Sequence, residues 1–283
     1  MELEITIMSG AGNIFSVVDN TKYQFPIQFY EKHATHICEN SFSKGRTEGL
    51  LVIDKSQKDT DFSLKFFNPD GSFGMMCGNG GRCAVFFASK GGLINRNKSI
   101  LFDVWDETYV AEFIEDKIKI RFAPPKTVEV DKKIHLEEQI VVGDYVDVNS
   151  QHFVIDYKKS PFASQYDFFA FPIKEIAPQI RFHKEFQPKG VNVNFYLASE
   201  DKIYLRTYER GVEGETGACG TGAISTAVSL FHRNKDINKF KIIPPSKDEI
   251  EVHINVNELG KIDEIYLIGN AKVVEVAKLE IDN

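Results

Sequence analysis

Two short segments of the chain place the same reactive group in the same local setting. Met76-Cys77-Gly78-Asn79-Gly80-Gly81 leads into Arg82-Cys83-Ala84-Val85-Phe86-Phe87-Ala88. Ala218-Cys219-Gly220-Thr221-Gly222-Ala223 leads into Ile224-Ser225-Thr226-Ala227-Val228-Ser229-Leu230-Phe231. Each puts Cys-Gly-polar-Gly before a stretch with few charges, which reads as a helix buried on nearly every side. Small residues after the cysteine let the backbone turn sharply, and the first amides of the helix then point outward. Such a helix start draws an anion, because its N–H groups and the positive end of the helix dipole act together. The same field would lower a cysteine there from about 8.5 toward neutrality and make a thiolate available. Two such ends converging on one spot would hold a carboxylate. Two thiols on opposite sides of a bound α-amino acid would then suit stereoinversion, one thiolate removing the α-proton and the other thiol delivering a proton to the opposite face. Charge gathering on the carboxylate would be stabilised by the helix ends, so no cofactor is expected.

The other two cysteines read differently. Cys83 falls inside the helix that follows Cys77, and Cys38 sits in a helix-like stretch opened by Pro26, so both are expected to be packing residues. No CxxC pair occurs and no histidines stand at zinc-finger spacing, so neither a disulfide framework nor a metal site is expected.

The elements that must position the two turns are mostly strands. Alternating and β-branched runs predict strands near 3–8, 14–18, 50–54, 62–67, 99–104, 108–114 and 117–122 in the first half. In the second half they predict strands near 139–148, 152–157, 191–198, 202–208, 240–243, 249–255, 262–268 and 271–279, with a helix around 172–184. Pro124-Pro125 is the best candidate for a domain crossing. Cys77 and Cys219 lie about half the chain apart, which favours two similar domains, each a core helix wrapped by strands.

Composition narrows the partners. At 283 residues, with 42% hydrophobic and 27% charged residues, the chain can bury a core without disulfides or metal, and neither disorder nor a fibrous repeat fits. A net charge of −7 argues against a nucleic-acid or acidic-membrane surface, so a small-molecule partner is expected. The amino terminus reads as a strand rather than a signal peptide, and no apolar run approaches membrane-spanning length; a cytoplasmic location is the expectation.

The sequence resembles the diaminopimelate epimerase family over nearly its full length. The resemblance is carried by Gly12-Asn13, Phe67-Asn68-Pro69-Asp70-Gly71-Ser72, Met76-Cys77-Gly78-Asn79-Gly80-Gly81-Arg82-Cys83, Tyr208-Glu209-Arg210-Gly211 and Ala218-Cys219-Gly220-Thr221-Gly222, in order. Asn79 stands where the sibling proline-racemase group usually carries His. The resemblance implies an α+β fold of two pseudo-symmetric, barrel-like domains around central helices. The N-terminal half would span 1–123 plus 268–283, the last strand returning to it, and the C-terminal half 124–267, with the active site between them. It implies interconversion of LL- and meso-diaminopimelate, in lysine and peptidoglycan precursor biosynthesis, without a cofactor, by a homodimer.

By the same resemblance Cys77 and Cys219 are the acid/base pair, and amides of Gly78, Asn79, Gly220 and Thr221 hold the reacting carboxylate. Asn13, Asn68, Asn192 and Arg210 recognise the distal end of the substrate, joined by Glu209, while His152 and Glu209 tune the thiols. Three features depart from the family pattern. Ser150 falls where a substrate-contacting Asn is usual, Glu213 lengthens the loop before Cys219, and Arg46-Thr47-Glu48-Gly49 replaces a smaller, Gly-rich turn. Rival readings are a racemase of another amino acid on the same fold, and a redox-sensing or ligand-binding protein in which Cys77 and Cys219 form a reversible disulfide. A cysteine hydrolase would leave the duplicated turn unexplained.

Overall fold

A computed structural model describes residues 1–74, 76–137 and 139–281. The chain divides into two units, the first formed by Met1–Arg121 together with the segment from Ile268 onward, the second by Phe122–Leu267. The division thus falls slightly before the 123/124 boundary expected from Pro124-Pro125, and the last two residues of the expected 268–283 segment lie outside the described residues.

In the first unit the strands are β1 (Glu2–Gly10), β2 (Asn13–Asp19), β3 (Leu50–Asp54), β4 (Phe62–Phe67), β5 (Ile100–Val104), β6 (Glu107–Ile114) and β7 (Lys117–Phe122). The helices are α1 (Asn20–Tyr23), α2 (Ile27–Asn40) and α3 (Gly78–Lys90). β1 pairs antiparallel with β2, β2 parallel with β3, β3 antiparallel with β4, β4 parallel with β5, and β5 antiparallel with β6. A parallel neighbour needs a crossover rather than a hairpin. Here α2 supplies the crossover from β2 to β3 and α3 the one from β4 to β5.

The second unit repeats this scheme with β8 (Thr127–His135), β9 (Ile140–Asp147), β10 (Gln151–Asp156), β11 (Asn192–Ala198), β12 (Ile203–Glu209), β13 (Gly214–Glu215), β14 (Lys239–Ile243), β15 (Ile250–Val256) and β16 (Ile262–Gly269). Its helices are α4 (Ile173–Arg181) and α5 (Gly220–Arg233). β9/β10 is antiparallel, β10/β11 parallel, β11/β12 antiparallel, β12/β14 parallel and β14/β15 antiparallel. α4 and α5 cross over at the two parallel steps. The order of pairings and crossovers is the same in both units, so the echo of the two cysteine turns reflects a repeated architecture. The last strand, β17 (Ala271–Glu280), pairs antiparallel with β1 from Glu2↔Glu280 to Gly10↔Ala271, which places it in the first unit.

α3 packs on β1, β2, β3, β4 and β17, and α5 on β8, β9, β10, β11, β14 and β15. Nine of the thirteen residues of α3, and ten of the fourteen in α5, are buried, which is why both segments carry so few charges. α2 closes a second layer in the first unit, where Tyr30, Ala34, Ile37 and Cys38 pack with Leu3, Ile5, Leu50 and Phe67. In the second unit Phe162, Phe171 and Phe195 stack edge to face beside α4. No helix among the described residues is long and apolar enough to cross a membrane.

Two local expectations need correction. β8 escapes the alternation test because Thr-Val-Glu-Val-Asp-Lys-Lys-Ile-His is mostly exposed and charged, and its register shifts between Glu129 and Lys132, with Asp131 at φ 54°. The helix expected over 172–184 stops at Arg181, and Lys184–Phe186 forms a separate 3₁₀ turn.

One buried charge ties β4 to β5. Asp103 lies opposite Ser63 and accepts from the hydroxyls of Ser56, Thr60 and Ser63 at 2.7, 2.7 and 2.8 Å, with Lys65 at 3.8 Å. Burial by itself raises its pKa, but the three hydroxyls and the ammonium outweigh it and hold the carboxyl below its ordinary 3.8. A native value below the unfolded one stabilises the fold above the unfolded pKa, and that stabilisation is lost as pH falls through the native value. Urea unfolding of Asp103→Asn should therefore lose part of the wild-type decline in stability below about pH 4; an unchanged acid limb would contradict this. A second test concerns Gly10, where a Cβ would stand 2.5 Å from the Asn79 carbonyl oxygen and 3.1 Å from Cys83 Sγ. Gly10→Ala should lower the unfolding free energy by roughly 1–3 kcal/mol, since the β1–α3 contact has no room to give.

Candidate active site

Cys77 and Cys219 occupy the same structural position, each the extended residue that caps a buried helix. Cys77 precedes α3 at φ −98°, ψ 119°, and Cys219 precedes α5 at φ −115°, ψ 111°. The first intrahelical bonds are Gly81 N–H to the Cys77 carbonyl, 2.7 Å, and Ala223 N–H to the Cys219 carbonyl, 2.9 Å. The amides before them, on Gly78 and Asn79 in one unit and Gly220 and Thr221 in the other, have no acceptor within their helix. In the second unit the thiol itself serves as the cap, Cys219 Sγ accepting from Gly222 N–H at 3.3 Å, with Thr221 Oγ1 at 3.6 Å. Gly222 has to be glycine because a Cβ there would lie 2.5 Å from Asn194 Oδ1 and 3.0 Å from Thr207 Oγ1.

Around α3 a chain of polar side chains runs from the interior to the surface. Arg82, fully buried, donates to Asn79 Oδ1 at 2.7 Å and to the Gly78 carbonyl at 3.3 Å. Asn79 Nδ2 donates to Asn13 Oδ1 at 3.0 Å, and Asn13 Nδ2 to the Glu48 carboxylate. Asn13 and Asn79 therefore meet directly. Asn68 stands in the turn after β4, its amide tied to Ser72 Oγ at 2.9 Å.

In the second unit Asn192, Arg210, Glu209 and His152 gather at the ends of β10, β11 and β12. Asn192 accepts from Arg210 N–H at 2.9 Å and donates to Ser150 Oγ and the Gln151 carbonyl, both at 2.9 Å. Arg210 Nη1 reaches Gln151 Oε1 at 2.8 Å. Glu209 accepts from Thr216 Oγ1, and its charge acts on the neighbouring Cys219 thiol. Glu213 is a structural anchor, its carboxylate pairing with Arg181 of α4 at 2.9 Å and accepting from Gly211 N–H at 3.0 Å.

A model of the diaminopimelate epimerase family matches residues 5–127 and 162–274. A diaminopimelate epimerase from Aquifex aeolicus (strain VF5) is 36% identical over 283 residues, with 96% of each chain covered. One from Chlorobaculum tepidum is 35% identical over 269 residues, covering 94% of this chain and 97% of the relative. The chain belongs to the diaminopimelate epimerase family. Its fold is similar to that of a hydroxyproline epimerase from Agrobacterium vitis, with a TM-score of 0.69 and 13% identity over 100% of this chain and 93% of that one. A PhzF-family phenazine biosynthesis protein from Bacillus anthracis superposes at a TM-score of 0.71 and 12% identity, over 99% of this chain and all of that one. At such identities the likeness is one of fold.

Protonation in the site is governed by burial. Cys38 and Cys83, the packing thiols, are pushed up to about 11 and about 12 by burial. Cys219 is also raised well above its ordinary value, by burial first and by the adjacent Glu209 charge second, against the lowering pull of Thr221 and the Gly222 amide. The expectation that a helix start would bring this thiol toward neutrality is thus overturned; desolvation and a neighbouring carboxylate outweigh the helix end. Glu209 is raised as well, because burial outweighs the lowering pull of Thr216 and of the neighbouring Cys219 thiol. His152 is driven down to about 3, by burial first and with the Arg210 charge acting in the same direction.

Sequence reading missed Thr216, Gln151, Asn194 and Thr207. Only Asn194 left a signal, as a polar residue amid apolar neighbours in Val191-Asn192-Val193-Asn194-Phe195. Since the Glu209 charge adds to burial in raising the Cys219 thiol, Glu209→Gln should move the thiolate absorbance titration of Cys219 to lower pH. A titration that stays in place or moves up would show that the carboxylate does not govern this thiol.

Proposed function

We propose that this protein is a diaminopimelate epimerase, interconverting LL- and meso-diaminopimelate by two-base proton transfer in which Cys77 and Cys219 are the acid and base. The observation that carries this reading is the repeated placement of a cysteine as the capping residue of a buried helix, once in each unit. Inversion at one carbon needs a base on one face and an acid on the other. In one direction the Cys77 thiolate takes the α-proton, the bonding pair delocalises into the substrate carboxylate, and the Cys219 S–H delivers its proton to the carbon. The enzyme is left with the roles of the two sulfurs exchanged. The reverse reaction starts from that exchanged state, the Cys219 thiolate taking the α-proton and the Cys77 S–H delivering its own, with the Glu209 carboxylate beside Cys219.

The amides of Gly78, Asn79, Gly220 and Thr221 hold the reacting carboxylate and stabilise the charge that builds on it as the proton leaves. Asn13, Asn68, Asn192 and Arg210 recognise the distal amino-acid end, and His152 joins Glu209 in tuning the thiols. The two units serve as the halves of the enzyme. Family membership further supports a homodimer acting in the cytoplasm on lysine and peptidoglycan precursors.

One observation favours a second reading, a racemase of another amino acid. Ser150 Oγ accepts from Asn192 Nδ2, so part of the hydrogen-bonding capacity assigned to the distal end is used inside the protein. Turnover of a monoamino acid in preference to diaminopimelate would favour this reading.

In D2O, LL-diaminopimelate should acquire deuterium at the α-position as meso product forms, and absence of both exchange and epimerisation would sink the proposal. Cys77→Ala and Cys219→Ala should each lose on the order of 10²–10⁴-fold in kcat, the range expected for removal of a positioned acid or base. Wild-type-like turnover in Cys219→Ala would rule out the two-base scheme.

A further inference from the structure

The orientation of one buried amide decides which nitrogen of His152 carries the proton. His152 lies on β10, fully buried, with Nδ1 at 3.0 Å from Asn194 Nδ2 on β11. Asn194 is itself fully buried, and its two ends face different partners. Its Oδ1 accepts from Thr207 Oγ1 at 2.9 Å, and its Nδ2 also points at the Phe153 carbonyl, 3.5 Å away. Turned over, Oδ1 would confront that carbonyl, oxygen against oxygen. An amide nitrogen can only donate, so the imidazole Nδ1 facing it must accept and is unprotonated. A neutral imidazole then carries its single proton on Nε2. Nε2 is a fully buried polar atom with no hydrogen-bond partner among the described residues, which is uncommon unless the group has another use.

The lock is built into the helix start. Asn194 Oδ1 and Thr207 Oγ1 occupy the space that a side chain at position 222 would need, and Cys219 Cβ is 3.2 Å from the same point. The glycine that lets α5 begin at Cys219 also admits the pair that orients His152.

We propose that Asn194 is a positioning residue which, held by Thr207 and the Phe153 carbonyl, keeps His152 in the Nε2–H tautomer so that the imidazole serves the reaction as a neutral donor through Nε2. Its part in turnover rests on the epimerase reading; the tautomer does not.

The full chain labelled with ¹⁵N-histidine, with His152→Gln to assign the resonance, reads the tautomer without substrate. Across about pH 5–8, where an ordinary histidine changes charge, wild type should show His152 with Nδ1 bare and Nε2 protonated. Asn194→Asp puts an acceptor opposite Nδ1 and should draw the proton there. It should lower kcat by between about 10-fold and the ~10⁴-fold seen when an imidazole is held in the wrong tautomer, with KM little changed. Should Asn194→Asp fail to fold, Thr207→Val removes the donor that fixes the amide and should give a mixture of tautomers. An Nδ1-protonated or doubly protonated His152 in wild type overturns the inference. So does a folded Asn194→Asp protein with the wild-type spectrum or wild-type kcat. Wild type with the expected spectrum but no epimerisation sinks the epimerase reading instead, and leaves the Asn194 lock standing.

Discussion

Each unit is organised by the need to start a helix inside its own core. A helix start leaves several N–H groups without carbonyl partners, and burying them requires small residues for a tight approach and polar groups for satisfaction. The two helix starts differ in their surroundings. Around α3 a buried guanidinium, Arg82, and the amides of Asn79 and Asn13 form a continuous chain ending at Glu48. Around α5 the cap is the Cys219 sulfur, which accepts from Gly222 N–H.

Burial sets the protonation states that follow. Cys219 and Glu209 are both shifted toward their neutral forms, and His152 is held neutral far below its ordinary range. In water these groups would differ in charge across the physiological range; in the interior, desolvation is the first cause for all three.

The loops in which the sequence departs from the pattern it resembles are each tied down by side-chain contacts. Glu213 extends a loop, yet its carboxylate pairs with Arg181 of α4 and caps Gly211, which anchors the extra length. The Arg46–Gly49 turn places Glu48 against Asn13 and buries Thr47 with Ser16 and Ser41 in a cluster of hydroxyls. Ser150 remains bonded to Asn192.

The sequence by itself determined the two cysteine turns, the burial of the helices that follow them and most of the strands, because glycine placement and apolar periodicity are local properties of the chain. It also set Cys38 and Cys83 apart as packing residues, and both are fully buried, since position within an apolar helix face is readable without a structure. β8 stayed hidden because its pairing with β9 depends on partners rather than on its own charged, bulged sequence. The direction of the Cys219 shift, the placement of Glu209 beside that thiol and the tautomer of His152 were decided only by tertiary structure. Each depends on distances between residues far apart in the chain and on how thoroughly water is excluded around them, and neither quantity is written in local spacing.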